Sequence, residues 1–217
     1  MSSLIDKLRG WDVFFDKAEF KYLLDRLRTE YKCCKLNIYP DSHDIFKTFE
    51  VCNPNECNVI MLAQDPYPQK GVATGIAFGN KVGTLKANYS PSLSKLLEPY
   101  EIDDSFDCTL ESWCRQGVLM LNSALTVVHN APNSHSDWWR FFIATFLRNY
   151  SDYKKDIIYV FFGNKAQNFK SYVKNNAGMI DCSHPSYLVR NNRPMPNIYQ
   201  SINSYLLNQD KTIIKWV

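Results

Sequence analysis

Four short apolar runs, NVIMLA (58–63), GVLMLN (117–122), DIIYVFF (156–162) and GMIDC (178–182), lack the polar alternation of a strand with one wet face. Strands buried on both faces read this way. Helical patterns separate the runs. A chain that alternates buried strands with helices pairs those strands in parallel and covers both faces of the sheet. The predicted fold is therefore α/β, a three-layer α/β/α arrangement around a central four-stranded, mainly parallel sheet. With 217 residues, 45% of them hydrophobic, the chain can fill one core, and a single domain over 1–217 is expected.

The helices announce themselves by spacing and caps. Phe20, Leu23, Leu24, Leu27 and Tyr31 recur at helical intervals between charged residues. SPSLSKLLEPY offers Ser90 as an N-cap and Pro91 at the first helical position. TLESWCRQG runs from a capping Thr109 to a stop at Gly117, and NKAQNFKSYVKNN starts from a capping Asn164. SDWWRFFIATFLRNY is apolar nearly all round and is expected to be a central helix. Ile198, Ile202, Tyr205 and Leu206 mark a last helix.

Charge and cysteine content exclude several classes. A net charge of +3 is too small for a polybasic protein, so any nucleic-acid contact must be local. The seven cysteines form no CxxC pair and no His lies at metal-ligand spacing, which reads as reduced core thiols in an intracellular, cytoplasmic or nuclear, setting. The opening residues lack the apolar core of a signal peptide, and no stretch is long enough to span a bilayer. GxSxG, GxxxxGK[ST] and GxGxxG motifs are absent.

Each apolar run ends on residues that chemistry can use: AQDPY, LNSALT, FFGNK and CSHPS. In open parallel sheets the carboxyl ends of the strands share one edge, and ligands bind in the crevice there. Gln64, Asp65, Asn122, Asn164 and His184 are thus expected to converge. Each also has an ordinary structural explanation: Asp65 before Pro66 as a turn former, Asn122 as a strand-end cap, His184 before Pro185 as a satisfied loop residue.

QDPY (64–67), GIAF (75–78), GVLMLNSALTV (117–127), NSH (133–135) and HPS (184–186), in this order, resemble the uracil-DNA glycosylase family. The resemblance covers most of the chain beyond its first thirty or so residues. It implies excision of uracil from single- and double-stranded DNA, with no cofactor and no metal. Asp65 then matches the carboxylate that positions water and stabilises a cationic sugar. His184 matches the donor to uracil O2, Asn122 the amide that reads the uracil edge, and Phe78 the stacking ring. Tyr67 matches the side chain that excludes a thymine methyl, and Gln64 a residue whose backbone touches uracil. Leu188 matches the wedge that fills the vacated stack. Ser90, Pro91, Ser92, Asn164, Lys165, Ser186 and Arg190 are the expected DNA contacts, with Arg193 as a second cation on the same loop. A monomer is expected, and a protein inhibitor or a replication partner is compatible with the resemblance.

The chain also departs from the family pattern. Pro68-Gln69 stands where His-Gly usually follows QDPY, HPSYLV where HPSPLS is common, and GNK where Gly-Ser is usual. These departures support an alternative reading as a catalytically weak DNA-binding or replication-accessory module on the same fold. Retention of Asp65, Asn122 and His184 together speaks against it.

Overall fold

The structure, a computed structural model, describes residues 7–33, 37–174 and 178–217. The side chain of Cys33, all of Cys34 and the end of the 164–176 helical pattern lie outside the described residues, as do residues 1–6. Four parallel strands form the central sheet: β2 (Val59–Ala63), β3 (Val118–Asn122), β5 (Ile158–Phe162) and β6 (Gly178–Cys182), in the order β3-β2-β5-β6. All pairs are parallel, which sharpens the expectation of a mainly parallel sheet. Every residue of β2, β3 and β5 is buried, as the continuous apolar runs require. β6 is the exception. As an edge strand it buries only Cys182 fully, and its Asp181 is exposed and paired with Lys170 at 2.8 Å.

Two further strands, β1 (Ile38–Tyr39) and β4 (Val127–Val128), pair antiparallel in a small second sheet that the sequence reading missed. Two-residue strands leave too little pattern to detect.

Helices cover the sheet on both faces: α1 (Lys17–Cys33), α2 (Lys47–Val51), α3 (Pro91–Leu96), α4 (Glu111–Arg115), α5 (Ser136–Tyr153), α6 (Gly163–Gln167), α7 (Pro185–Arg190) and α8 (Ile198–Leu207). α1 buries Phe20, Leu23, Leu24 and Leu27 on one stripe, as their spacing predicts. In α5 the buried residues Trp139, Phe142, Ile143, Phe146, Leu147 and Tyr150 form one face, while Phe141 is 58% exposed and Tyr153 61%. The helix expected to be central from its nearly continuous apolar character thus lies against the core with one face in solvent. Trp11 packs edge-on against Phe49 and Phe146 at 5.5 and 5.6 Å and donates its indole N–H to the Cys52 carbonyl at 2.7 Å. Side chains of this kind contribute about 1.5–3 kcal/mol each when fully buried.

Two caps differ from their sequence assignments. Leu110, at φ +62°, occupies the cap position of α4. Thr109 serves the helix from one residue earlier, its hydroxyl accepting from the Glu111 N–H at 3.2 Å, while Asp107 accepts from the Ser112 N–H at 2.7 Å. α6 begins at Gly163, so Asn164 lies inside its first turn and does not cap it. Ser90 and Pro91 hold their expected places at the start of α3. The described cysteine side chains, Cys52, Cys57, Cys108, Cys114 and Cys182, are all buried free thiols. Among the described residues no helix is long and apolar enough to cross a membrane.

Candidate active site

β2 has β3 on one side and β5 on the other, so the chain crosses back over β2 between them. That is a topological switch point, where a crevice opens outside the carboxyl ends of the strands. Register puts those ends side by side: Ala63 pairs with Asn122, and Phe162 with Cys182. A cleft of about 740 Å³ occupies this edge and is lined by Gln64, Asp65, Tyr67, Phe78, Asn122 and His184, with Ser90, Pro91, Ser92, Ser186 and Arg190 also on its walls. Asn164, Lys165 and Leu188 do not line it.

Asp65 follows β2 directly, and its Oδ2 accepts the backbone N–H of Asn133 at 2.9 Å. The Gln64 side chain donates to Asn133 Oδ1 at 3.0 Å, which fastens the same two segments together. Burial raises the Asp65 pKa above its ordinary value, while the Asn133 N–H, the Gln64 side chain and the charge of Lys165 oppose the rise. Lys165, outside the cleft, is therefore still felt by the carboxylate. Asn133 was legible only as part of a matched motif, without a role. Its backbone sits at φ +67°, a left-handed conformation that asparagine tolerates well, and Pro132 before it is a turn signal.

Phe78 is held at φ +65° in the segment that follows Gly75. A Cβ on Gly75 would lie 1.8 Å from the Asp44 carbonyl oxygen, so only glycine allows that approach. The Ala77 N–H donates to the Met120 carbonyl at 3.1 Å, pinning the loop to β3. The Phe78 ring then rests edge-on against Phe162 at 5.1 Å and 5.6 Å from the His184 ring. Tyr67 braces the same loop, its hydroxyl donating to the Phe78 carbonyl at 3.0 Å. The Ser90 hydroxyl lies 2.7 Å from the Tyr67 oxygen and 3.1 Å from Asn80 Oδ1, and it accepts from the Leu93 N–H. Ser90, expected to touch DNA, thus has its hydroxyl occupied within the cleft wall.

Asn122 is only 6% exposed, and its amide has no protein partner among the described residues. Asn122 lines the cleft, so its amide donor and acceptor are open to whatever occupies it. His184 caps α7, with its Nδ1 accepting from the Ser186 N–H at 3.2 Å and lying 2.8 Å from the Ser186 hydroxyl. A backbone N–H can only donate, so Nδ1 is the bare nitrogen and the ring proton sits on Nε2. Burial, aided by Arg190, lowers the His184 pKa to about 4, which keeps the ring neutral at pH 7. Gly163, at φ +78°, lets the end of β5 pass beneath it, since a Cβ there would lie 3.0 Å from the His184 Cβ.

Leu188, expected as an exposed wedge, is turned inward, only 3% exposed and packed in the main core. Its neighbours Tyr187 and Val189 are each 40% exposed. The cause is local. Residues 185–190 form a helix, and the Tyr187 N–H closes its first turn by donating to the His184 carbonyl at 2.8 Å. The proline common at this place in the family pattern has no N–H to give. Pro185 and Leu188, three apart, share the buried face.

One further grouping of potential ligand atoms lies near the start of α2. Asp41, His43 and Asp44 bring ligand atoms within 4.8 Å of one another, but the Asp44 carboxylate is already paired with Lys81 at 3.3 Å.

The model of the uracil DNA glycosylase superfamily matches residues 49–207. A uracil-DNA glycosylase from Mesomycoplasma hyopneumoniae is 30% identical over 206 residues, covering 92% of this chain and 92% of that protein. One from Campylobacter jejuni is 31% identical over 226 residues, covering 98% of this chain and 96% of that protein. Among solved structures, a mimivirus UNG variant in complex with UGI superposes with a TM-score of 0.79 at 26% identity, covering 92% of this chain and 83% of that one.

Proposed function

The chain belongs to the uracil DNA glycosylase superfamily, and from that premise we propose how its cleft divides the work. The enzyme is a uracil-DNA glycosylase of base excision repair: it hydrolyses the N-glycosidic bond of deoxyuridine in DNA and releases uracil, leaving an abasic site. Breaking that bond with little nucleophilic push develops positive charge on the sugar and negative charge on the departing base. Asp65 faces the first, and the Nε2–H of His184 faces the second at uracil O2. Fixed, partly desolvated groups stabilise such charges more than water does. The observation that carries this assignment is that Asp65 and His184, 119 positions apart in the sequence by subtraction of their numbers, line one cleft together with the uncommitted amide of Asn122.

Asn122 both donates and accepts, so one side chain pairs with O4 and N3–H of uracil and mismatches cytosine. Phe78 supplies the stacking face, Tyr67 the wall against a thymine methyl, and Gln64 a backbone contact. Ser92, Pro91, Ser186, Asn164, Lys165 and Arg190 are the groups proposed to meet the DNA backbone. Lys81 lines the cleft as well, but Asp44 holds its ammonium, which favours simple hydrolysis over Schiff-base lyase chemistry. The whole chain serves as one catalytic domain acting as a monomer on single- and double-stranded substrates. The mimivirus neighbour's complex with UGI supports an inhibitor protein as a partner, while a replication partner rests on the sequence resemblance alone. The buried free thiols favour a reducing compartment.

The direct test incubates the protein with a uracil-containing oligonucleotide, adds alkali and looks for scission at the uracil position. Scission is expected there and not in control strands carrying cytosine or thymine. Retained DNA binding without scission would select the accessory reading instead.

The pH dependence follows from the two shifted groups. Asp65 must be ionised, and its raised pKa moves the acid limb of the rate upward from where an ordinary aspartate would put it. His184 works neutral and gains its proton only near pH 4, where Nδ1 would lose the Ser186 N–H. Both losses therefore lie on the acid side, and the single-turnover rate is expected to show no fall as the pH rises through neutrality. A rate that fell between about pH 6 and pH 8 as His184 lost a proton would contradict the neutral donor.

A further inference from the structure

Resting on the glycosylase reading above, we propose that Tyr187, and not Leu188, is the side chain that enters the duplex when the target nucleotide swings out. A base within a duplex must leave the stack to reach a cleft of this kind. The gap it leaves is costly unless a side chain fills it. Such a side chain must be exposed before DNA arrives and must stand beside the cleft that receives the base.

Neither residue lines the cleft itself, but Leu188 fails the first condition outright, being 3% exposed and packed in the core. Tyr187 is 40% exposed and lies in the first turn of α7, next to Ser186 on the cleft wall. α7 fixes both directions. The Tyr187 N–H is held by the His184 carbonyl at 2.8 Å, and the Tyr187 carbonyl accepts from the Asn191 side chain at 2.9 Å. Leu188 cannot turn outward without unwinding this helix. Val189 is as exposed as Tyr187 but sits about 200° around the helix from it. Arg190, three residues on from Tyr187 and so on its face, lines the cleft.

The chemistry suits the position. An aromatic ring stacks on any base, which makes it a filler without sequence preference. The Arg193 guanidinium lies 5.9 Å from the Tyr187 ring centroid, a cation beside the ring that can meet a flanking phosphate while the ring meets bases.

The test compares Tyr187→Ala, Tyr187→Phe and Leu188→Ala in single-turnover excision from a U:A duplex and from the same uracil strand alone. Tyr187→Ala is expected to lower the duplex rate, relative to the single-strand rate, about tenfold, and Tyr187→Phe to restore it. Leu188→Ala is expected to lower the melting temperature and leave the ratio of the two rates unchanged. Equal loss on both substrates with Tyr187→Ala, or a ratio lowered by Leu188→Ala alone, would overturn the proposal. Failure of the unmodified protein to act on either substrate would instead overturn the glycosylase reading beneath it, and this proposal with it.

Discussion

Asp65→Asn is expected to slow uracil release about a thousandfold, a loss of about 4 kcal/mol of transition-state stabilisation, while binding to uracil DNA is kept or tightened. The substitution is nearly isosteric. Its amide oxygen can still accept the Asn133 N–H that holds the carboxylate at 2.9 Å, so the geometry survives and only the charge goes. Removing a negative charge beside a polyanion favours binding. That combination separates a group that stabilises the sugar cation from one that merely shapes the loop. Single-turnover rates set against binding by fluorescence anisotropy would check it. A rate within about tenfold of the unmodified enzyme would place the stabilising charge elsewhere. Pro68, standing where the family pattern has histidine, makes the test sharper, since the carboxylate's observed support comes from Asn133 and Gln64.

Tyr67→Ala has the second large effect: it is expected to give measurable release of thymine from DNA while lowering the rate on uracil about tenfold or more. Two consequences follow from one ring. Its removal opens the space that a C5 methyl needs. It also frees the Phe78 carbonyl and the Ser90 hydroxyl from the phenol that joins them at 3.0 and 2.7 Å, loosening the stacking ring. Tyr67→Phe separates the two, keeping the bulk against thymine and losing only the bracing. Excision assays on paired thymine and uracil substrates would read both effects. Thymine rejection that persists in the alanine variant would remove Tyr67 from the discriminating role.

The parts of this molecule that were legible in the sequence are those set by long patterns. The four strands came from uninterrupted apolar runs, and the first three are buried along their whole length. The convergence of Asp65, Asn122 and His184 followed from one geometric rule, that parallel strands end on one edge. What escaped was fixed by single contacts between distant segments. Asn133 reaches Asp65 through a backbone N–H, which leaves no mark on residue identity. The inward turn of Leu188 depends on a hydrogen bond from the residue before it, so matching leucine to leucine in a familiar motif gave its identity without its direction. β1 and β4 were too short for any period to show. Neutrality of His184 likewise required knowing its burial and the partner on Nδ1.

The close approach of Gly163 to His184 has a bearing on how the imidazole is supported. Gly163, directly after β5, and the Cβ of His184 are so close that a methyl added to the glycine would lie 3.0 Å from that carbon. A side chain at that position would press on the Cβ and backbone that carry the imidazole and would also strain a left-handed backbone. The histidine is thus buttressed from below by a position that has room for hydrogen alone.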